Sequence, residues 1–316
     1  MPTLAPKLPW QHAFAGGYPG RSGQYLPVDA DAIDYLNRVA AADGAAVEVG
    51  IAQAIDAFVR GCKADSAGYA GDPTRSNWDA IQASCVMCGA RTISGALVPL
   101  KGAAPTPVGS WASGDYSRSG ATPGLKGNGS TKYLDTNRAN NADGQNDQHV
   151  AVYAASASTS DNFYYGSDGI GIAGSSGAVR SAGDLLLASR GTGFATLSGK
   201  ATATALIATS RESSGSFTSR VGGANLDTAV PSATPTSQKI FVFCRNDSSS
   251  GASRFVDARL AFYSIGAALD LAALDTRVTN MVTAIRFHTL TGLLPNDFDP
   301  ATIAYITAAY AAGGTL

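Results

Sequence analysis

The sequence predicts an α+β protein with a helical N-terminal region, an antiparallel β-sandwich and a closing helical segment. Apolar residues recur at helical spacing before residue 90 and again after residue 270. Between these regions, short alternating or apolar runs are separated by Gly, Ser, Asn and Asp clusters, which is typical of sandwiches. Charged residues make up only 15% of the 316 residues, against roughly 25% in typical soluble proteins. This composition favours a β-sandwich or a multi-chain assembly over a cytosolic enzyme.

The first 28 residues form a distinct segment that is rich in proline and glycine. Five prolines are interleaved there with the aromatic residues Trp10, Phe14, Tyr18 and Tyr25. Proline and glycine disfavour regular structure, whereas the aromatic residues argue against a purely solvated tail. We predict an extended attachment arm over residues 1–28, and a disordered start is the alternative.

Residues 29–107 are predicted to form a helical domain followed by a proline-containing linker. Asp29 or Asp31 can cap a first helix, because an aspartate side chain accepts hydrogen bonds from the first free backbone amides. Apolar spacing then predicts a second helix over 49–59 and a third over 78–88.

Four cysteines occur, and two of them form a CxxC motif inside the third predicted helix: Cys85 and Cys88, beside Cys62 and Cys244. A zinc site needs a second closely spaced ligand pair, and a redox CxxC opens a helix after a strand. Neither pattern is present. We therefore predict that all four cysteines are buried structural thiols.

Residues 108–267 are predicted to form the β-sandwich. The expected strands are 132–134, 149–154, 162–166, 185–188, 205–209, 217–221, 240–244 and 259–265. In the run KIFVFCR, alternation places Ile240 and Val242 on one face and Phe241 and Phe243 on the other. Because both faces are largely apolar, we predict a central strand that is covered on both sides.

The last segment, residues 268–316, is predicted to form C-terminal helices. Six of its apolar residues fall on one helical face: Leu271, Leu274, Val278, Met281, Val282 and Ile285. Asp270 precedes them and can serve as the N-cap.

Composition excludes several classes of function. The net charge is −1 and no Lys/Arg run occurs, so no nucleic-acid partner is expected. No apolar run reaches the roughly 20 residues that span a bilayer, and the N-terminus lacks the apolar core of a secretory signal. No phosphate-binding or dinucleotide motif is present, so no cofactor is predicted.

No catalytic residue is predicted. The two glutamates, Glu48 and Glu212, lie in unrelated segments, whereas a retaining glycosidase holds its two carboxyl groups about 5–5.5 Å apart. His149 opens a predicted strand without a GxSxG nucleophile motif. We interpret it as a strand-start or surface histidine and the protein as non-enzymatic.

A loop dense in amides precedes the strand predicted at 149–154. Its candidate sugar-binding side chains are Asn137, Asn140, Asn141 and Asp143. Amides and carboxylates can meet sugar hydroxyls directly. The alternative is a solvated connection, because Asn and Asp also stabilise turns.

An aromatic cluster, NFYYGSDG, follows this loop. Strand alternation places Tyr164 opposite Phe163 and Tyr165, so Tyr164 is the candidate platform for a sugar ring. The alternative is that both faces are buried under a neighbouring subunit.

Calcium is the one metal that the composition of this loop suggests. Asp135, Asp143 and Asp147 are candidate oxygen ligands. They lack EF-hand spacing, so we predict no metal site and keep these three as calcium candidates.

The chain resembles structural proteins of tailed bacteriophages and phage-like particles that carry a concanavalin A-like, laminin-G-like lectin jelly roll. The resemblance covers roughly residues 29–316 and rests on four stretches: 78–106, 124–143, 240–247 and 258–285. The closing sequence RLAFYSIG with its following helix is the most specific part. The resemblance does not extend to the arm at residues 1–28.

The resemblance implies a virion surface protein assembled in the host cytoplasm, of the head spike, head fibre or tail fibre type. Its partners would be other virion proteins and host cell-surface polysaccharide, and a homotrimer is expected. The alternative is a capsid decoration, cement or baseplate protein whose sandwich is purely structural.

Overall fold

Two β-sheets face each other, and helices cover the outer face of the first sheet. A computed structural model describes residues 27–69 and 71–291, with side chains up to residue 286. Nearly all of the predicted arm and the C-terminal segment beyond residue 291 lie outside the described residues. None of the described helices is long and apolar enough to cross a membrane.

The described α-helices are α1 (Ala30–Asp43), α2 (Val49–Ala64), α3 (Asn77–Ala80), α4 (Ile93–Ala96) and α5 (Leu271–Thr291), and one 3-10 turn spans Ser113–Asp115. Asp29 caps α1 by accepting hydrogen bonds from the amides of Asp31 and Ala32, which confirms the first of the two predicted caps. Gly44 ends this helix with φ 66°, a conformation that glycine adopts without steric cost. Asp270 caps α5 through the amides of Ala272 and Ala273, as predicted.

Eighteen strands occur within the described residues. In chain order they are β1 (Ile81–Val86), β2 (Pro99–Lys101), β3 (Thr106–Val108), β4 (Tyr116–Ser117), β5 (Gly124–Lys126), β6 (Tyr133–Ala139), β7 (Gln148–Ser156), β8 (Phe163–Gly166), β9 (Ser175–Ser181), β10 (Asp184–Gly191), β11 (Ala195–Leu197), β12 (Leu206–Arg211), β13 (Phe217–Val221), β14 (Ala224–Thr228), β15 (Lys239–Val242), β16 (Arg245–Asp247), β17 (Gly251–Ser253) and β18 (Arg259–Gly266).

The first sheet has the strand order β14-β13-β12-β7-β18-β1-β2, with β5 paired to β18 and β4 to β5. The second sheet has the order β11-β10-β9-β8-β15-β6-β3, and β16 joins it beside β8 and β17. Neighbouring strands run antiparallel except at the single β16–β8 contact. The predicted antiparallel two-sheet sandwich is therefore confirmed.

Strand β7 shows why the central strands read as continuous apolar runs. Val150 and Val152 pack between the two sheets, whereas Ala151 and Tyr153 pack toward the helices. Because both faces of the first sheet are covered, neither face has to be polar.

The third predicted helix is wrong beyond its first turn. Ser76 and Asp79 form a reciprocal capping box around α3, but the chain then extends into β1, which pairs with β18 and β2. In β1, Cys85 packs between the sheets and Val86 toward the helices. The strand is apolar on both faces, so its spacing could not be told from that of a buried helix.

This correction changes the layout predicted for residues 29–107. Strands β1, β2 and β3 all belong to the two sheets, so the sandwich begins before residue 108. Helices α1, α2 and α5 share one apolar cluster with the first sheet. The helical segments therefore form a layer on the sandwich and share its core.

Phe243 departs from the predicted alternation. Strand β15 ends at Val242, and Phe243 has φ 74°. Its ring joins Ile240 and Val242 in the cluster between the sheets, whereas Phe241 stays outside that cluster. A residue with positive φ interrupts the extended conformation on which alternation depends, and periodicity alone does not reveal such a residue.

Candidate functional site

The predicted amide loop is held by buried internal contacts. The Asn140 side chain is fully buried, and its Nδ2 donates to the Gly174 carbonyl at 2.8 Å and to Thr236 Oγ1 at 3.1 Å. Its Oδ1 accepts from Gln148 Nε2 at 2.9 Å. The assignment of Asn140 to glycan binding is therefore wrong, because no polar atom of its amide faces solvent.

A buried arginine fixes the same loop. The Arg190 guanidinium donates to the backbone carbonyls of Asn140, Asp143 and Gly144. Desolvation lowers the pKa of Arg190 to about 10. The Asp143 carboxylate is paired with Arg138, so it stabilises the loop itself. Of the predicted glycan-binding residues at 140–143, Asn141 alone is exposed.

Tyr164 is also buried, contrary to its prediction as a sugar platform. The side chain lies between the sheets, its hydroxyl accepts from the Ser158 amide at 3.0 Å, and burial raises its pKa. The register shifts between Phe163 and Tyr165. This bulge turns Tyr164 and Tyr165 into the same core, which explains why simple alternation failed.

Each calcium candidate has a basic partner. Asp135 pairs with Lys239 at 2.9 Å, and Asp147 pairs with Arg75 at 2.8 Å. Asp143 pairs with Arg138. Over residues 27–69 and 71–291, no group of three His, Cys, Asp or Glu side chains is arranged to hold a metal.

His149 is the second residue of β7, close to the predicted strand start, and it is fully buried. Its Nδ1 lies 2.5 Å from the Ala267 carbonyl and its Nε2 lies 2.6 Å from Ser264 Oγ. Because a carbonyl only accepts, Nδ1 carries the proton and Nε2 accepts from the serine. Desolvation lowers the pKa of His149 to about 4, so the imidazole is a neutral structural group.

The candidate site lies on the outer side of the second sheet, where three aromatic rings meet. Tyr133 packs against Phe241 with ring centroids 4.8 Å apart and against Phe255 at 6.0 Å. Tyr133 and Phe255 are each half-buried, and partial burial raises the pKa of Tyr133. We call these three residues the outer aromatic face.

Polar side chains border the outer aromatic face. Asp135 lies two residues beyond Tyr133 in β6, on the same side of the strand. Lys239 Nζ donates to Asp135 Oδ2 and to Asn137 Oδ1, both at 2.9 Å. Asn246 Nδ2 donates to the Lys239 carbonyl at 3.0 Å. A carboxylate, an amide and an ammonium group are thus held together beside exposed ring surface.

Asn137 is the one predicted glycan-binding residue that the structure brings to this border, where it lies beside the calcium candidate Asp135. It has φ 57°, and its Nδ2 donates to the Ala104 carbonyl and to Thr106 Oγ1. The sequence KYLDTN held a usable signal: Leu134 and Thr136 are buried, whereas Tyr133, Asp135 and Asn137 alternate with them. The partner Lys239 lies 102 residues away from Asn137, beyond the reach of any local pattern.

This arrangement fits a planar, polyhydroxylated ligand. An aromatic ring carries negative charge on its face, which suits the C–H side of a sugar ring. A few placed polar groups then fix the orientation of the ligand. Because Asp135, Asn137 and Lys239 already hold one another, little side-chain entropy remains to be lost on binding.

Comparisons with known proteins place the chain in no family. No family model matches it, and no curated protein matches it. The botulinum neurotoxin serotype D binding domain is structurally similar at 11% identity and a TM-score of 0.42, covering 64% of this chain and 51% of that chain. The likeness thus spans about half of the toxin domain.

A second similar structure is domain 4 of an extracellular arabinanase from Geobacillus stearothermophilus, solved in complex with arabinotriose. It is 10% identical with a TM-score of 0.35, and the match covers 55% of this chain and 87% of that domain. Scores this low transfer no ligand and no activity to this chain.

Proposed function

We propose that this protein is a non-enzymatic, carbohydrate-binding surface protein, with the outer aromatic face as its binding site. The observation that carries the proposal is the partly exposed Tyr133 ring, packed on Phe241 at 4.8 Å beside the Asp135–Lys239 pair. Ring and hydrogen-bonding groups lie on one side of one sheet, so a single sugar can meet both.

The setting we propose is the surface of a tailed bacteriophage or phage-like particle, where the sandwich is a concanavalin A-like jelly roll. The four sequence stretches that resemble such structural proteins support this setting. The ligand would be host-surface polysaccharide, and the protein would act as a head spike, head fibre or tail fibre, in trimers. Its location would be the virion, where it contacts other virion proteins.

A purely structural role, as decoration, cement or baseplate protein, is the second candidate. Three large apolar side chains favour it, because they remain exposed on the sandwich: Ile172 at 49%, Phe194 at 41% and Leu226 at 39%. Exposed apolar side chains are frequent at surfaces that pack against other proteins.

A bacterial glycan array separates the two candidates. We expect the wild-type protein to bind at least one surface polysaccharide, and Tyr133→Ala to weaken that binding about tenfold, which corresponds to the loss of one aromatic contact of about 1.4 kcal/mol. Phe194→Ala, which removes an exposed ring elsewhere, is the matched control and keeps the affinity. Equal glycan affinity of Tyr133→Ala and Phe194→Ala, or no binding by the wild type, would refute the lectin proposal.

The position of the protein needs a separate experiment. Labelled-antibody imaging of intact particles locates it at head or tail. Its absence from purified particles would contradict the virion setting while leaving the glycan-binding proposal open to the array.

A further inference from the structure

A small cleft lies at the opposite sheet, beside the start of α5. Its volume is about 170 Å³, smaller than the roughly 300–1,000 Å³ of pockets for drug-sized ligands. Its apolar lining consists of the buried residues Ala67, Leu269 and Leu271. Its polar groups include Glu212 and Asn225. The size and lining fit one small ring with an apolar side and a polar substituent.

The carboxylate of Glu212 distinguishes this cleft from the rest of the surface. Within the part of the chain that the structure describes, no side chain or amide donates to it. The other glutamate, Glu48, is paired with Arg91 at 2.6 Å and with Arg118. Partial desolvation raises the pKa of Glu212, as expected for a carboxylate that faces a cleft without a counter-ion.

The charged side chains that act on the Glu212 carboxylate are mostly negative. Asp270, Asp147 and Asp227 raise its pKa, and Arg75 alone among the nearby groups lowers it. The Arg75 guanidinium is already engaged by Asp147 through two hydrogen bonds. The cleft therefore favours a positively charged ligand.

The second basic group near the cleft is also engaged. Arg220 Nε donates to Asp275 Oδ2 at 2.7 Å, and its Nη1 donates to Asn225 Oδ1 at 2.8 Å. The latter bond fixes the orientation of the Asn225 amide and leaves its Nδ2 as a donor. No basic side chain in the described residues neutralises Glu212 directly.

A buried arginine holds the segment that carries Glu212. The fully buried Arg211 donates through Nε to the Ser189 carbonyl at 2.5 Å. Its Nη1 donates to the carbonyls of Ser213 and Ser216, both at 3.1 Å. The turn after Glu212 is thereby tied to the second sheet, which fixes the backbone that carries this exposed side chain.

We propose that this cleft binds a small ring bearing a protonated amine, with an unacylated amino sugar as the ligand class. The ammonium group pairs with Glu212, and Asn225 donates to a hydroxyl. Leu269 and Leu271 are buried in the floor of the cleft. This second site is independent of the outer aromatic face. Charge-assisted pairs of this kind are the stronger class of hydrogen bond.

Glucosamine and N-acetylglucosamine form the matched pair of probes, because acetylation removes the charge and keeps the ring. We expect calorimetric titration of the full chain at pH 7 to show glucosamine binding at least tenfold tighter than N-acetylglucosamine. Glu212→Gln should abolish that preference. Asp34→Asn, which removes an exposed carboxylate paired with Arg38 on α1, should retain it.

Melting curves of both variants establish that they are folded. Equal binding of the two sugars to the wild type, or an unchanged preference in folded Glu212→Gln, overturns the proposal. Tyr133→Ala should leave glucosamine binding intact, so the failure of one site is distinguishable from the failure of the other. Repeating the titration with a deacetylated polysaccharide determines whether the same amine is recognised within a chain.

Discussion

Arg75 and Asp147 form a bidentate ion pair across 72 residues of sequence, with distances of 2.9 Å from Nη1 to Oδ2 and 2.8 Å from Nη2 to Oδ1. Asp147 Oδ1 also accepts from the Ala268 amide at 2.7 Å, and Arg75 Nη2 donates to the Ala268 carbonyl at 2.8 Å. One pair thus joins the loop before α3, the start of β7 and the turn between β18 and α5. Asp147 therefore links the helical layer to the sandwich.

Replacing Asp147 by alanine should destabilise the fold strongly. The change leaves the largely buried Arg75 without its counter-ion and the Ala268 amide without an acceptor, so we expect a loss of about 3 kcal/mol. Urea denaturation followed by fluorescence measures it. Asp34→Ala is the control, because its exposed pair with Arg38 should contribute under about 0.5 kcal/mol. Equal midpoints for the two variants would contradict this role for Asp147.

Two neighbouring asparagines of the same loop should behave differently. Asn140→Ala leaves the buried Gln148 Nε2 without its acceptor and removes one of the donors to the Gly174 carbonyl, so it should cost about 2 kcal/mol of unfolding free energy. Asn141→Ala changes an exposed side chain and should stay within about 0.5 kcal/mol. Thermal melts of both variants test this. An Asn140→Ala protein of unchanged stability would contradict the structural role of this side chain and favour a role of the loop in recognition.

These two asparagines show the limit of prediction from sequence. The loop is rich in amides, but the partners that decide their role lie far along the chain: Thr236 is 96 residues from Asn140 and Arg190 is 50 residues away. Local composition contains no information about such partners. The same limit applies to Lys239, which completes the border of the outer aromatic face.

Features governed by local chemistry could be predicted. The Asp29 cap and the αL glycine at position 44 follow from backbone hydrogen bonding. The apolar face of α5 is buried as expected, from Leu271 to Ile285. Conversely, β1 was mistaken for a helix because the helical layer covers its outer face, and that layer is a tertiary feature.

Acid should destabilise the protein through His149. The pKa of its imidazole falls from 6.5 to about 4 on folding, because burial disfavours the charge. Nearby Arg138 and Arg75 also oppose protonation, and Asp147 favours it. Below pH 6.5 the unfolded chain binds a proton that the folded chain does not, so stability falls until about pH 4. The full loss is on the order of 3 kcal/mol.

Stability curves from pH 7 to pH 5 test this expectation. The wild-type free energy of unfolding should decline across that interval, ahead of most carboxylate titrations. His149→Gln is expected to be less stable at pH 7 but to show a flatter curve. An identical slope in the two proteins would mean that His149 does not set the acid response.

The four thiols should be unreactive in the folded protein. Cys62, Cys85, Cys88 and Cys244 are all free and buried. Burial raises the pKa of Cys62 and of Cys88 to about 12, and it raises the pKa of Cys85 and Cys244 as well. Since the thiolate is the nucleophile, a disulfide reagent at pH 8 should modify almost no cysteine without denaturant and all four in concentrated urea.

The labelling midpoint should match the unfolding midpoint measured by fluorescence. Rapid modification of one thiol in the native protein would show a local opening, and mass spectrometry of the labelled peptides would identify whether β1, with Cys85, or another segment opens.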